Sequence, residues 1–86
     1  MTASYKIFVK KSAEKELRQI PAKDLSKVVE KLKSLAQNPR PHGVEKMEGG
    51  ERYRLRQGDR RMIYLIDDAE KLVTVIKVGN RKEVYR

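Results

Sequence analysis

The spacing of apolar residues changes its period partway along the chain, and this change most limits the folds available to it. Between residues 22 and 36 the apolar residues recur at steps of three and four: Leu25, Val28, Val29, Leu32, Leu35 and Ala36. That spacing is typical of a helix with one buried face. From residue 52 onward apolar residues alternate with polar ones or form short runs, which is typical of strands. The sequence therefore predicts helices first and a sheet afterwards.

Shorter patterns complete the predicted order of elements. Residues 4–10 alternate as a strand, and Ser12 is placed to cap a short helix after it. Pro21 is expected in the first turn of a second helix, which ends at Asn38-Pro39. A hairpin turn is predicted at residues 57–59. The expected fold class is α+β, with an N-terminal strand, a helical hairpin and then an antiparallel sheet of three to four strands.

The length and composition narrow the class of protein. A chain of 86 residues corresponds to a single domain, residues 1–86. The absence of cysteine excludes disulfides and cysteine-ligated metals. No stretch approaches the ~20 apolar residues of a membrane span, and the N-terminus does not resemble a signal peptide. We therefore expect a soluble, cytoplasmic protein. Its net charge of +9 points to nucleic acid, an acidic protein or an anionic membrane surface as partner.

Arginine is concentrated in the strand-forming half. Eight lysines and two arginines occur through residue 44, against four lysines and seven arginines after it. The planar guanidinium matches phosphate geometry better than the lysine ammonium does. Arg52, Arg54 and Arg56 are expected on one face of a strand, where a bound anion would relieve their mutual repulsion. The alternative is a solvent-exposed face without a ligand.

The strand order brings further arginines together. If strands 52–57, 60–67 and 72–78 are consecutive and antiparallel, Arg56, Arg61 and Arg81 meet at one end of the sheet. The C-terminal tail with Tyr85 leaves from the same end, and would close a cationic pocket. Arginines can hold a phosphate and stabilise its transition state, and a tyrosine hydroxyl can stack on a base or exchange a proton.

The sequence contains few residues that could form another kind of catalytic site. The chain has one histidine, His42, so a mechanism with two histidines is excluded, and a lone loop histidine is more often plain surface. No spacing of histidines or carboxylates favours a metal, and no phosphate-binding glycine loop occurs. The sequence therefore predicts no cofactor.

The residues from 53 onward, YRLRQGDRRMIYLIDDAEKLVTVIKVGNRKEVYR, resemble the C-terminal half of the RelE toxins of the RelE/ParE toxin–antitoxin superfamily. The most specific motifs are Y-R-x-R-x-G-D-x-R, R-x-x-Y and V-G-x-R-x-E-V-Y, and the order of elements agrees along the whole chain. The resemblance implies the RelE-like microbial RNase fold and a RelB-like antitoxin as partner. It also implies binding to the 30S ribosomal A site with its 16S rRNA, and metal-independent cleavage of mRNA there by the 2′-hydroxyl.

The resemblance also implies roles for individual residues. The catalytic positions carried over are Arg54, Arg56, Arg61, Arg81 and Tyr85. The residues expected to bind RNA are Lys46, Arg52, Arg60, Asn80, Lys82 and Arg86. Some relatives have lysine at positions 54 and 56, and many have histidine at position 80, so the proton donor and acceptor stay open. The alternatives are a ParE-like gyrase-inhibiting toxin, a non-catalytic basic RNA- or DNA-binding module, and a degenerate toxin that retains antitoxin binding.

Overall fold

The computed structural model describes residues 4–47 and 51–80. Its elements are β1 (Lys6–Val9), α1 (Lys11–Arg18), α2 (Ala22–Ser34), β2 (Glu45–Lys46), β3 (Arg52–Gln57), β4 (Arg60–Asp67) and β5 (Leu72–Asn80). The strands form one sheet in the order β1-β5-β4-β3-β2. β2 to β5 are antiparallel neighbours, whereas β1 pairs in parallel with β5. The predicted α+β fold is confirmed, and the parallel edge strand, which the sequence did not specify, makes the sheet mixed.

The helix ends differ in detail from the sequence pattern. Lys10 precedes α1 as its N-cap and Ser12 lies inside the helix, so the predicted serine cap is wrong. Pro21 has extended backbone and stands just before α2 rather than in its first turn. Regular helix ends at Ser34, but the Asn38 N–H still donates to the Ser34 carbonyl. The helical path therefore stops at the residue before proline, where steric hindrance from the proline ring disfavours helix.

Both helices pack on one face of the sheet. The core side chains from the strands are Tyr53, Leu55, Met62, Tyr64, Ile66, Val73, Val75 and Val78, and those from the helical half are Ala13, Ile20, Val28, Leu32 and Leu35. Strand residues alternate between faces, so their neighbours project from the other side. We call that side the open face, since neither α1 nor α2 covers it, although Ile63 and Arg61 on it are buried. The register assigns it Phe8, Thr74, Leu65, Arg52, Ile63, Arg54, Arg61 and Arg56.

A β-bulge interrupts the pairing of β4 with β5. Val75 pairs with Tyr64 and Lys77 pairs with the preceding residue of β4, so Ile76 has no partner there. The extra residue shifts the alternation by one position. As a result Val78 points into the core although it lies three residues after Val75.

The edge of β5 is covered in two ways. β1 pairs with its first half, from Leu72 to Val75. Beyond that point Glu16 of α1 replaces a strand, because its carboxylate accepts the Val78 N–H at 2.9 Å and contacts Lys77 Nζ at 3.3 Å. The side chain thus satisfies a backbone donor that would otherwise be exposed at a sheet edge.

The loop between α2 and β2 is held to the sheet by polar contacts of aromatic residues. Tyr64 is fully buried and donates its hydroxyl hydrogen to the carbonyl oxygen of Pro39 at 2.7 Å. Burial raises the pKa of Tyr64 well above its ordinary value, so the hydroxyl remains a donor. Arg40 Nε donates to the Tyr53 hydroxyl at 3.2 Å, and its guanidinium lies over the Tyr53 ring. The loop backbone is therefore anchored just before it turns toward β2.

Asp68, in the turn between β4 and β5, extends this network. It accepts hydrogen bonds from both Arg40 Nη atoms, at 3.2 and 2.9 Å, and from the Tyr5 hydroxyl at 2.6 Å. These bonds favour the charged carboxylate, and with Arg40 as the largest cause the pKa of Asp68 falls to about 2. Three segments distant in sequence, before β1, after α2 and after β4, are joined at this end of the sheet. Within residues 4–47 and 51–80, no helix is both long and apolar enough to cross a membrane.

Candidate functional site

The turn between β3 and β4 fixes the position of the arginines. It consists of residues 58–59, and Gly58 has a positive φ of 61°, which suits glycine in a two-residue hairpin. The residues flanking the turn pair with each other, and the next pair outward is Arg56 with Arg61. Paired residues project from the same face, so Arg56 and Arg61 lie side by side on the open face. This adjacency agrees with the one that the strand order predicts.

A carboxylate lies among these arginines. Glu45 pairs with Arg54 across β2 and β3, and its Oε1 is 2.7 Å from Arg54 Nη2. The hydrogen bond from Arg54, reinforced by the charges of Arg56 and Arg61, lowers the pKa of Glu45. We call Glu45, Arg54, Arg56 and Arg61 the arginine cluster. Glu45 therefore offsets part of the repulsion among the cations.

The cations of the cluster differ in depth. Arg61 is 5% exposed, whereas Arg54 is half-buried and Arg56 is exposed. Arginine keeps its charge when buried, because the guanidinium does not lose its proton in proteins. A charge away from bulk water acts more strongly on its neighbours than one at the surface. The cluster therefore combines a deep positive charge with an accessible one, an arrangement suited to an anion that approaches over the open face.

A cleft of about 540 Å³ opens beside the cluster, at the edge of β3 that β2 leaves uncovered. It is lined by Lys31 of α2, by His42 of the loop, and by Glu45 and Arg56 of the cluster. Its volume lies within the range of small-molecule binding sites. His42, expected to be plain loop surface, thus shares a cleft with two members of the cluster.

Two of the predicted RNA-binding cations lie on the other side of the sheet. Lys46 pairs with the core residue Tyr53, and Arg60 lies 3.9 Å from Asp24 of α2, so both are on the face that the helices cover. Arg52 is exposed on the open face, one step of the alternation beyond Arg54. The structure thus brings together Arg54, Arg56 and Arg61, with Arg52 beside them.

The end of β5 limits what the structure describes of the predicted site. Asn80 is the last residue of that strand and the Cα partner of Arg60. The remaining predicted site residues, Arg81, Lys82, Tyr85 and Arg86, lie outside the described residues.

Glu45 was not identified from the sequence, although one signal pointed to it. Its strand has two residues, too few for an alternating pattern to be visible. An acidic residue directly opposite an arginine is, however, a favourable cross-strand pair. Placing β2 against β3 in the antiparallel sense would have put Glu45 opposite Arg54.

Comparison with known proteins gives the following matches. A protein-family model described as the ParE toxin of the type II toxin–antitoxin system parDE matches residues 7–85. No curated protein matches the chain by sequence.

Solved structures of RelE toxins have the same fold. The archaeal RelE–RelB complex from Pyrococcus horikoshii OT3 is 28% identical with a TM-score of 0.83, and the match covers 91% of this chain and 96% of that chain. The toxin–antitoxin complex RelBE2 from Mycobacterium tuberculosis is 25% identical with a TM-score of 0.81, over 91% of this chain and 99% of that one. A mutant of the E. coli toxin RelE in the free state is 29% identical with a TM-score of 0.77, and the match covers 95% of this chain and 90% of that chain.

Proposed function

The chain belongs to the ParE toxin family of type II toxin–antitoxin systems, and from that premise we propose that it is an endoribonuclease that cleaves mRNA in the ribosomal A site. The sequence-based prediction of a RelE/ParE toxin is confirmed by the family match and by the RelE structures. Because a fold does not determine its chemistry, the proposal rests on the site. The observation that carries it is the arginine cluster on the open face, with one carboxylate held among its three cations.

The cluster provides what phosphodiester cleavage requires. The exposed Arg56 can contact a non-bridging phosphate oxygen, and the deeper Arg61 beside it adds a fixed positive charge. Negative charge on the phosphate increases as the pentacoordinate transition state forms, so preorganised cations bind it more tightly than the ground state. Arg54 contributes to the same field and also positions Glu45.

The reaction transfers one proton away from the attacking 2′-hydroxyl. Its oxygen bonds to the adjacent phosphorus while the bond to the 5′ oxygen of the next nucleotide breaks, which leaves a 2′,3′-cyclic phosphate and a 5′-hydroxyl. Arginine cannot accept the proton, whereas Glu45 is a carboxylate at neutral pH and can accept one. We assign Glu45 as the acceptor. The leaving 5′ oxygen takes a proton from water or from a donor such as Tyr85, which lies outside the described residues.

A carboxylate with a lowered pKa is a weak base, so this mechanism depends on orientation. Alignment of an attacking group with its target can contribute about 7–11 kcal/mol to a reaction barrier. A message held in the A site supplies that alignment, whereas free RNA does not. We therefore propose that cleavage requires the ribosome.

The relatives of the chain and its charge also support binding to an antitoxin. The archaeal RelE and the mycobacterial RelBE2 relatives were solved as toxin–antitoxin complexes. This chain carries a net charge of +9, and the described strands place four arginines on the open face. We propose that a cognate RelB-like antitoxin binds it as a hetero-complex and places acidic side chains against the arginine cluster.

The test is primer-extension mapping of mRNA ends on programmed ribosomes with purified protein. We expect cuts at the codon in the A site, reduced about 10²–10³-fold by Arg56→Ala and by Arg61→Ala. Arg56 is exposed, so its variant tests the chemistry even if the loss of the buried Arg61 disturbs folding. Arg18→Ala removes the same charge from an exposed position of α1 and serves as the control. Full cleavage by both cluster variants would reject the assignment.

Inhibition of DNA gyrase is a second candidate, because the matching family is described by the name ParE. It requires no phosphodiester cleavage by the chain. A supercoiling assay with purified gyrase separates the two candidates. Inhibition of supercoiling together with intact mRNA on the ribosome would favour the gyrase-directed function.

A further inference from the structure

Phe8 is the one large hydrophobic side chain that is exposed among residues 4–47 and 51–80, at 56%. It lies in β1 between Ile7 and Val9, which are partly buried against the core, so it projects from the open face. Lys6 and Lys10, two positions away on either side, are exposed on that face as well. Single exposed apolar residues are ordinary. Phe8 differs from such residues because the sheet register places it in a row of side chains that ends at an arginine of β3.

That row crosses the sheet to the arginine-bearing strand. The register pairs Phe8 with Thr74, Thr74 with Leu65, and Leu65 with Arg52. Three strand spacings separate the two ends, which places Phe8 about 14 Å from Arg52 along the backbone. Leu65 and Thr74, which lie between the two exposed ends, are half-buried and uncharged.

The arginine cluster adjoins this row. Along β4, Arg61 lies four residues before Leu65, so its backbone is about 16 Å from that of Phe8 across two strands. That distance is too long for Phe8 to contact the phosphate held by the cluster. A base elsewhere on a strand bound at the cluster could, however, reach Phe8.

We propose that Phe8 is a stacking platform for a base of single-stranded RNA whose backbone runs across the open face to the arginine cluster. The inference rests on the proposed function, since it takes RNA as the substrate. An aromatic side chain on a sheet face, with cations beside it, is a recurrent arrangement for binding single-stranded nucleic acid without strong sequence preference. Lys6 and Lys10 provide charge for the phosphates on either side of the stacked base.

Substitutions at Phe8 test the stacking directly. Phe8→Leu keeps an apolar side chain on an exposed edge strand but removes the aromatic face, and Phe8→Trp keeps the aromatic face. We expect Phe8→Leu to weaken binding of a fluorescently labelled single-stranded RNA about ten-fold in an anisotropy titration at low salt. Phe8→Trp should bind at least as tightly as the unsubstituted chain. Melting curves of both variants should match it, and affinity for the co-expressed antitoxin should not change.

Each alternative result overturns the inference. RNA affinity that is the same for Phe8→Leu and the unsubstituted chain, or no binding of RNA by the unsubstituted chain, excludes stacking. A loss of antitoxin affinity with unchanged RNA affinity would assign the ring to a protein interface. The proposed function fails separately: if the unsubstituted chain cuts no mRNA on ribosomes but binds RNA in a Phe8-dependent manner, the nuclease is rejected and the stacking platform stands.

Discussion

Replacing Tyr64 with phenylalanine removes one oxygen atom from a fully buried side chain, and we expect it to destabilise the protein by about 1–2 kcal/mol. The lost hydroxyl is the donor to the Pro39 carbonyl, at 2.7 Å. Pro39 is itself buried, so its carbonyl oxygen would lose this donor without ready access to water. The ring and its stacking on Tyr53, with centroids 6.0 Å apart, remain in place. The change therefore isolates one hydrogen bond.

Urea unfolding followed by circular dichroism measures the effect. The midpoint should fall while the slope stays unchanged, because the same surface is exposed on unfolding. For a chain of this length the loss corresponds to a decrease in melting temperature of about 5–15 °C. Tyr53→Phe is the matched control. Its hydroxyl accepts a longer bond, 3.2 Å from Arg40 Nε, and Arg40 keeps its bonds to Asp68, so the control should lose less stability.

Two outcomes would refute this reasoning. If Tyr64→Phe unfolds at the same urea concentration as the unsubstituted chain, the bond to Pro39 does not anchor the loop. If Tyr53→Phe is the more destabilised of the two, the partly exposed contact with Arg40 matters more than the buried one, and the loop is held mainly by the guanidinium.

Three further predictions concern charge. Glu45→Gln keeps the shape of the side chain but cannot accept a proton, so we expect single-turnover mRNA cleavage to fall about 10²–10⁴-fold. Loss of the charge that offsets the arginines should lower the melting temperature only slightly, because Glu45 is exposed. Undiminished cleavage would exclude Glu45 as the acceptor. Asp68 has a lowered pKa of about 2, so its contribution to stability is present above the unfolded-state value of 3.8 and is lost as the pH falls toward 2. Asp68→Asn should remove that part of the acid dependence of the unfolding midpoint. If the midpoint of the variant falls with decreasing pH just as it does for the unsubstituted chain, the bonds of Asp68 to Arg40 and Tyr5 do not stabilise the fold. Antitoxin affinity should fall as the salt concentration rises, and it should fall less steeply for Arg56→Ala. If the affinities of the variant and of the unsubstituted chain depend equally on salt, acidic side chains of the antitoxin do not bind the arginine cluster.

Local periodicity was sufficient for the elements that contain several repeats of their pattern. α2 and β3 to β5 lie where the spacing of apolar residues predicts them. The position of β1 was not predictable in the same way, because its partner, the segment Leu72–Val75, lies at the far end of the sequence. An alternating pattern shows which side of a strand is buried but not which strand it joins.

The candidate site was predictable to the extent that it depends on register. A two-residue turn fixes the pairing on both sides of it, so the adjacency of Arg56 and Arg61 follows from the sequence. The residues expected to bind RNA also included Lys46 and Arg60, although alternation along the strands places both on the helix-covered side. The cross-strand partner of Arg54 depended on a strand of two residues, for which no pattern exists.

The bulge at Ile76 makes β5 tolerant of a change in length. Deleting Ile76 would leave Val73, Val75 and Val78 in regular two-residue alternation, all still directed into the core. The same deletion within β3 would exchange its two faces beyond the deleted residue, turning arginines toward the helices and core residues toward the open face. Related chains that differ by one residue in this strand can therefore present the same two surfaces.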